Sequence, residues 1–115
     1  MLFICYPKCS TCQKAKKWLD EHNIKYTKRH IVEDNPTYEE LKEWHEKSAL
    51  PLKKFFNTSG LLYKEMQLKD KLPDMSEKEQ LKLLATNGML VKRPLMVSDD
   101  AVLVGFKEKE WADKL

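Results

Sequence analysis

Glycine and proline are scarce in this chain, at three and five of 115 residues, which leaves no flexible linker or low-complexity segment. No internal repeat is visible, and no apolar run approaches the length of a membrane helix. The opening Met1-Leu2-Phe3-Ile4-Cys5-Tyr6-Pro7 lacks a basic leader, and its apolar stretch is too short for a secretory signal. A cytoplasmic protein is expected. Only three cysteines are present, and in a reducing compartment these do not make a disulfide framework. Asn57-Thr58-Ser59, a glycosylation acceptor by pattern, carries no weight in that setting. No second C-x-x-C and no paired histidines stand at finger spacing, so a tetrahedral zinc site lacks its ligands and no metal is expected. Charge of one sign does not dominate either: 21 Lys and Arg face 18 Asp and Glu, a net +3. No long basic stripe points to nucleic acid as a ligand.

What is present is ordinary for a globular domain, with 42% hydrophobic and 34% charged residues. One domain over residues 1–115 is expected, long enough to bury a core unaided, and nothing demands more than a monomer. The charge is unevenly placed. Residues 1–30 carry seven Lys or Arg against two Asp or Glu, a local +5, and the other fourteen basic and sixteen acidic residues sum to −2. A basic N-terminal third suits an anionic substrate or an acidic partner, although a solvated lysine-rich helix face also accounts for it.

Leu2 to Tyr6 reads as a buried strand ended by Pro7. Ser10-Thr11-Cys12-Gln13 has the form of a capping box, and Cys12, Ala15, Trp18, Leu19 and His22 keep helical spacing, so a helix is expected from Ser10 to His22 with Asn23 ending it. A second strand follows within Ile24 to Val32, giving β-α-β with parallel strands. Thr37 to Glu40 and Ser76 to Glu79 are further capping boxes. Their helices have core faces at Tyr38, Leu41 and Trp44 and at Leu81, Leu84 and Ala85, the second closed by Asn87-Gly88. Pro51 to Phe56 looks like a short helix with proline in its first turn, and Asn57 to Gly60 like a turn. Leu95 to Val97 and Val102 to Val104 form a hairpin pattern around Ser98-Asp99-Asp100-Ala101, and Trp111 and Leu115 mark a last short helix. The order predicts an α/β fold: a mixed four-stranded sheet with flanking helices.

Cys9-Ser10-Thr11-Cys12 stands where the first strand meets the first helix. A cysteine there faces unpaired N–H groups and the positive end of the helix dipole, and both favour the thiolate. Lys8 can add to that field. Cys12 lies one turn on, within reach of a mixed disulfide on Cys9. The pattern therefore assigns Cys9 as nucleophile and Cys12 as resolving thiol. Cys5, inside an apolar strand, reads as a buried structural cysteine. His22, His30 and His45 are scattered and read as surface or helix-face residues. Arg93-Pro94 precedes a strand, and Pro94 there takes either a cis or a trans bond. With a cis bond, Arg93 can offer its fork of donors to an oxyanion or a peptide carboxylate. Lys53 is a third anion contact by charge.

Three segments in this order resemble the ArsC family across essentially the whole chain. They are Tyr6-Pro7-Lys8-Cys9-Ser10-Thr11-Cys12, Leu52 to Gly60, and Leu90-Val91-Lys92-Arg93-Pro94-Leu95. That family contains glutaredoxin-coupled arsenate reductases and Spx-type transcriptional regulators. The resemblance implies a thioredoxin-like core with a helical insertion over about 35–88. It also implies that the Cys9 thiolate attacks arsenate, and that the adduct is reduced with glutathione and glutaredoxin to release arsenite, with no bound cofactor. Thioredoxin is the alternative donor. Arg93 falls on one of the oxyanion-holding arginines, Lys53 stands in place of a second, and Phe106, followed by Lys107, in place of a third. Lysine keeps the charge but loses the bidentate fork, and phenylalanine keeps neither. The second cysteine resembles the Spx side, where the pair switches between dithiol and disulfide. Spx-type proteins bind the C-terminal domain of the RNA polymerase α subunit.

Overall fold

The computed structural model describes all 115 residues. The chain runs β1 (Leu2–Cys5), α1 (Ser10–Glu21), β2 (Thr27–His30), α2 (Tyr38–Ser48), α3 (Leu61–Glu65), α4 (Leu68–Lys71), α5 (Glu77–Leu84), β3 (Leu95–Val97), β4 (Val102–Val104) and α6 (Glu108–Lys114). The sheet order is β2-β1-β3-β4. β1 pairs parallel with β2, while β3 is antiparallel to both β1 and β4. This is the mixed four-stranded sheet that the strand order predicts, with the thioredoxin-like core that the resemblance implies.

Alternation along the strands divides the core. Phe3, Cys5, Met96 and Leu103 point to one face, where Cys12, Ala15, Trp18 and Leu19 of α1 and Trp111 of α6 cover them. Ile4, Leu95 and Val102 point to the other, against Leu41, Trp44, Leu81 and Leu84 of α2 and α5. A side-chain period of two puts each face against its own helices. Trp111 is fully buried, and its indole N–H donates to the Gly105 carbonyl at 3.0 Å.

Two of the three capping boxes form. Glu40 N–H donates to Thr37 Oγ1 at 3.1 Å while Thr37 N–H donates to Glu40 Oε1 at 3.0 Å. Ser76 and Glu79 exchange the same pair at 3.1 Å each. Each cap contributes about 1 kcal/mol to its helix. The first box does not form. A turn, with Cys9 N–H donating to the Tyr6 carbonyl at 2.9 Å, leads into α1, which begins at Ser10 as expected but is capped by Cys9 rather than by Ser10. Gln13 instead donates to the Pro7 carbonyl at 3.0 Å.

Other boundaries differ slightly. α1 stops at Glu21, with Asn23 left-handed at φ 55° behind it. The Pro51–Phe56 segment is a 3-10 turn over Leu52–Phe55, with Pro51 just outside it. Asn87-Gly88 does not close α5 but opens the next 3-10 turn, Gly88–Leu90, Asn87 Oδ1 accepting from Met89 N–H at 2.9 Å. Between β2 and β3, α2 to α5 and these turns build the helical layer. It is tied to the sheet end by hydrogen bonds from Asn57 N–H to the Leu90 carbonyl (2.8 Å) and from Lys92 N–H to the Phe55 carbonyl (2.7 Å).

Candidate active site

The tight turn after β1 sets a sulfur where a helix-capping oxygen normally sits. Cys9 has the extended backbone of an N-cap (φ −84°, ψ 122°) and is half-buried. Its neutral thiol makes no capping hydrogen bond. The N–H groups of Cys12 and Thr11 nevertheless lie where a thiolate would accept them. Partial burial opposes ionisation most strongly. Those two N–H groups, the Cys12 thiol and the Arg93 guanidinium together outweigh it and hold Cys9 below the ordinary cysteine range.

Cys12 behaves in the opposite way. It is 3% exposed in the core layer under α1. Burial pushes its thiol up to about 12, with the neighbouring Cys9 charge adding to the effect. The Tyr6 N–H donates to its sulfur at 3.4 Å and offsets part of that. Both cysteines are free thiols, as is Cys5. Cys5 is likewise buried in the core, which raises its thiol above the ordinary range.

The Arg93–Pro94 peptide bond is cis. The Arg93 guanidinium lies 5.2 Å from the Tyr6 ring centroid, held loosely by the Met89 and Val91 carbonyls at 3.4 and 3.5 Å. Its Nε is shielded from solvent and has no partner. A cavity of about 580 Å³ opens on Arg93, Asn57, Ser59 and Met89. Lys53 reaches a different cavity, of about 600 Å³, which it shares with Thr11 of α1. Lys8 is exposed beside Cys9. The structure thus brings Cys9, Cys12 and Arg93 into one site, with Lys53 in a groove that Thr11 also lines. Phe106 lines that groove, pinned edge-on against Trp111 at 5.0 Å and tilted against Trp18 at 6.2 Å.

The histidines take structural roles. His22 stacks on Trp18 at 4.2 Å, and His30 Nδ1 accepts from the Val32 and Glu33 N–H groups at 3.1 Å each. His45 packs edge-on against Phe55, its Nδ1 3.3 Å from Glu77 but not aligned as a hydrogen bond. No three His, Cys, Asp or Glu side chains are grouped as metal ligands would be, and no helix is long and apolar enough to cross a membrane. Sequence reasoning missed Tyr6 as the support of Arg93, and Lys54 and Lys92 as neighbours of the site. Their only signal was adjacency to Lys53 and Arg93.

A thioredoxin-like sheet carrying a C-x-x-C at the cap of its first helix, faced by a cis-proline loop, defines a class of thiol-bearing proteins. Within that class the chain belongs to the ArsC family, whose model matches residues 5–114. It is similar to an ArsC-family-related protein of Bacteroides fragilis of known structure, with 67% identity, a TM-score of 0.95, and 97% of this chain and 94% of that one covered. It is also similar to a possible arsenate reductase from Streptococcus mutans, with 42% identity, a TM-score of 0.88 and 96% of each chain covered. Among regulators it resembles the global transcriptional regulator Spx 1 of Bacillus cereus, at 30% identity over 90% of this chain and 78% of that protein.

Proposed function

We propose that the protein is a cytoplasmic thiol oxidoreductase in which Cys9 is the attacking thiolate and Cys12 the resolving thiol, acting on arsenate or on a disulfide. The observation that carries this reading is a half-buried cysteine at the cap of α1 with a second, buried thiol one helical turn on. A site built for attack and resolution needs that asymmetry. With a disulfide, the Cys9 thiolate attacks one sulfur and forms a mixed disulfide, and the other sulfur leaves as a thiolate. The Cys9 charge has then gone, so the part of the Cys12 perturbation that came from it is relieved. Cys12 gives its proton to the departing thiolate and attacks the Cys9 sulfur. The products are a Cys9–Cys12 disulfide and a reduced substrate, two electrons having passed to it. With arsenate, the Cys9 thiolate forms a sulfur–arsenic bond and displaces hydroxide, which leaves as water with a proton from solvent. Cys12 or glutathione then attacks the Cys9 sulfur, and arsenic leaves as arsenite. Arg93 balances the anion beside Cys9. Glutathione with glutaredoxin, or thioredoxin, returns the two electrons.

The test supplies arsenate or neutral hydroxyethyl disulfide with each donor system and measures arsenite release or donor oxidation. Cys9→Ser is expected to abolish turnover with both substrates, and Cys12→Ser to trap the mixed disulfide. Absence of turnover in every combination, or a Cys9→Ser protein as active as the parent, overturns the reading.

The complete C-x-x-C and the similarity to Spx 1 favour a second reading, a redox-switched regulator that binds the C-terminal domain of the RNA polymerase α subunit. A pull-down with oxidised and reduced protein tests it, and absence of binding in both states removes it.

A further inference from the structure

The groove lined by Thr11, Lys53 and Phe106 is one of the largest concave features of the molecule and extends well beyond what a small oxyanion at Cys9 would fill. Its volume of about 600 Å³ lies within the roughly 300–1,000 Å³ range of pockets that hold sizeable organic ligands. A tetrahedral oxyanion would leave most of it empty. Leu50, Val104 and Phe106 supply apolar side chains to the lining. The walls are cationic. Lys53 and Lys54 come from the 3-10 turn, Lys92 from the segment before the cis-proline, and Lys107 from the start of α6, against a single acid, Glu110. None of these four lysines takes part in an ion pair within the protein. Lys92 is laid along the groove by Gly105, whose left-handed backbone (φ 74°) and missing side chain leave room for it; a Cβ there would stand 3.2 Å from Lys92 Cε. A concave surface lined by one sign of charge concentrates ligands of the other sign.

We propose that this groove docks an acidic peptide segment, one carrying carboxylates for the lysines and apolar side chains for Val104 and Phe106, and that it delivers the disulfide of that segment to Cys9. Thr11, two residues beyond Cys9, lines the groove. A chain lying in the groove therefore touches the first turn of α1, which Cys9 caps. The delivery step rests on the oxidoreductase reading above and follows its electron balance, whereas the docking step does not need it. The mixture of lysines with apolar side chains in the lining favours a peptide over a nucleic-acid strand, which binds along an open basic stripe.

Docking is read apart from chemistry by using the Cys9→Ser protein and fluorescence anisotropy. The probes are short labelled peptides rich in glutamate and phenylalanine, a matched peptide with glutamine for glutamate, and an oligothymidylate strand. The acidic peptide is expected to bind at least about tenfold tighter than its neutral match. That advantage shrinks as ionic strength rises from about 0.01 to about 0.15 M. A Lys54→Glu, Lys107→Glu double variant, checked for folding by circular dichroism, is expected to lose about tenfold in affinity for the acidic peptide. Lys78→Glu on α5 serves as the control. Equal binding of the two peptides, tighter binding of the oligothymidylate, or full affinity in the double variant overturns the proposal. Failure of the parent to reduce hydroxyethyl disulfide would instead count against the oxidoreductase reading and leave the anisotropy result to stand on its own.

Discussion

Native alkylation should discriminate sharply between two cysteines only three residues apart. At neutral pH a thiol titrating at about 12, as Cys12 does, is ionised to roughly one part in 10⁵. A free cysteine, at about 8.5, is ionised to a few per cent, and Cys9 is held below its ordinary range. Because the thiolate is the reacting form, the ratio of reactive species exceeds about a thousandfold. Exposure widens it further, since Cys12 is 3% exposed and Cys9 half-buried. Reduced protein would be pulsed with iodoacetamide between about pH 6 and pH 9, quenched in acid, digested, and mapped by mass spectrometry. Cys9 should alkylate with a titration midpoint below that of free cysteine, while Cys12 and Cys5 stay protected until the protein unfolds. Arg93→Met should move the Cys9 midpoint upward, because that guanidinium helps to hold the thiolate. Alkylation of Cys12 within about tenfold of the Cys9 rate in the folded protein would refute the asymmetry, and with it the division of roles.

Three further outcomes concern stability. Between about pH 8.5 and 12 the unfolded chain gives up the Cys12 proton while the folded chain keeps it. Stability therefore falls with rising pH, by at most about 1.4 kcal/mol per pH unit. Urea midpoints at about pH 8 and 10 should show a shallower fall for Cys12→Ala than for the parent. Arg29 donates to both Glu40 oxygens at 2.6 and 2.8 Å, and its side chain is 12% exposed. Glu40→Gln keeps a cap acceptor but removes the charge, and should cost about 2 kcal/mol in denaturant titration. Gly88→Ala would set a Cβ 2.1 Å from the Ile31 carbonyl oxygen; a loss of about 2–4 kcal/mol, read as a lowered Tm, is expected.

Much of this was legible in the residues because several signals agreed. The β3–β4 hairpin was bounded correctly at both strands, since apolar triplets flank an Asp-rich turn whose Ser98 closes it onto Ala101. The Thr37 and Ser76 boxes were visible because oxygen caps have few alternatives. The segment Leu61–Lys71 carried no such signal. Its two short helices have no side-chain cap and meet at Gln67 with φ 55°. They hold through burial of Tyr63 and Leu68, which local sequence does not announce. At the site, Cys9 and Cys12 were evident from their spacing, but the cap was misread by one residue. Ser10 offers an oxygen and Cys9 does not, yet the Tyr6–Cys9 turn decides the phase. The lysine groove was invisible, because it gathers residues from four distant segments.

The position of Phe106 offers the sharpest test of how the oxyanion question is decided. The family resemblance expects an arginine there, and the structure shows why the phenylalanine is well accommodated. Its ring packs edge-on against Trp111 and beside Trp18; each such aromatic contact contributes about 0.5–1.5 kcal/mol beyond burial. Phe106→Arg forfeits that packing but places a guanidinium in the groove wall that Lys53 shares. With Lys53→Arg in the same chain, both missing forks are restored. The double variant should therefore be less stable by about 1–2 kcal/mol while releasing arsenite from arsenate at least about tenfold faster than the parent, a gain of about 1.4 kcal/mol in transition-state binding. Turnover of neutral hydroxyethyl disulfide, which has no charge for the forks to hold, provides the reference. An unchanged ratio of arsenate to disulfide turnover would show that the arginines do not set the substrate. Selection would then lie with Arg93 and the lysine groove.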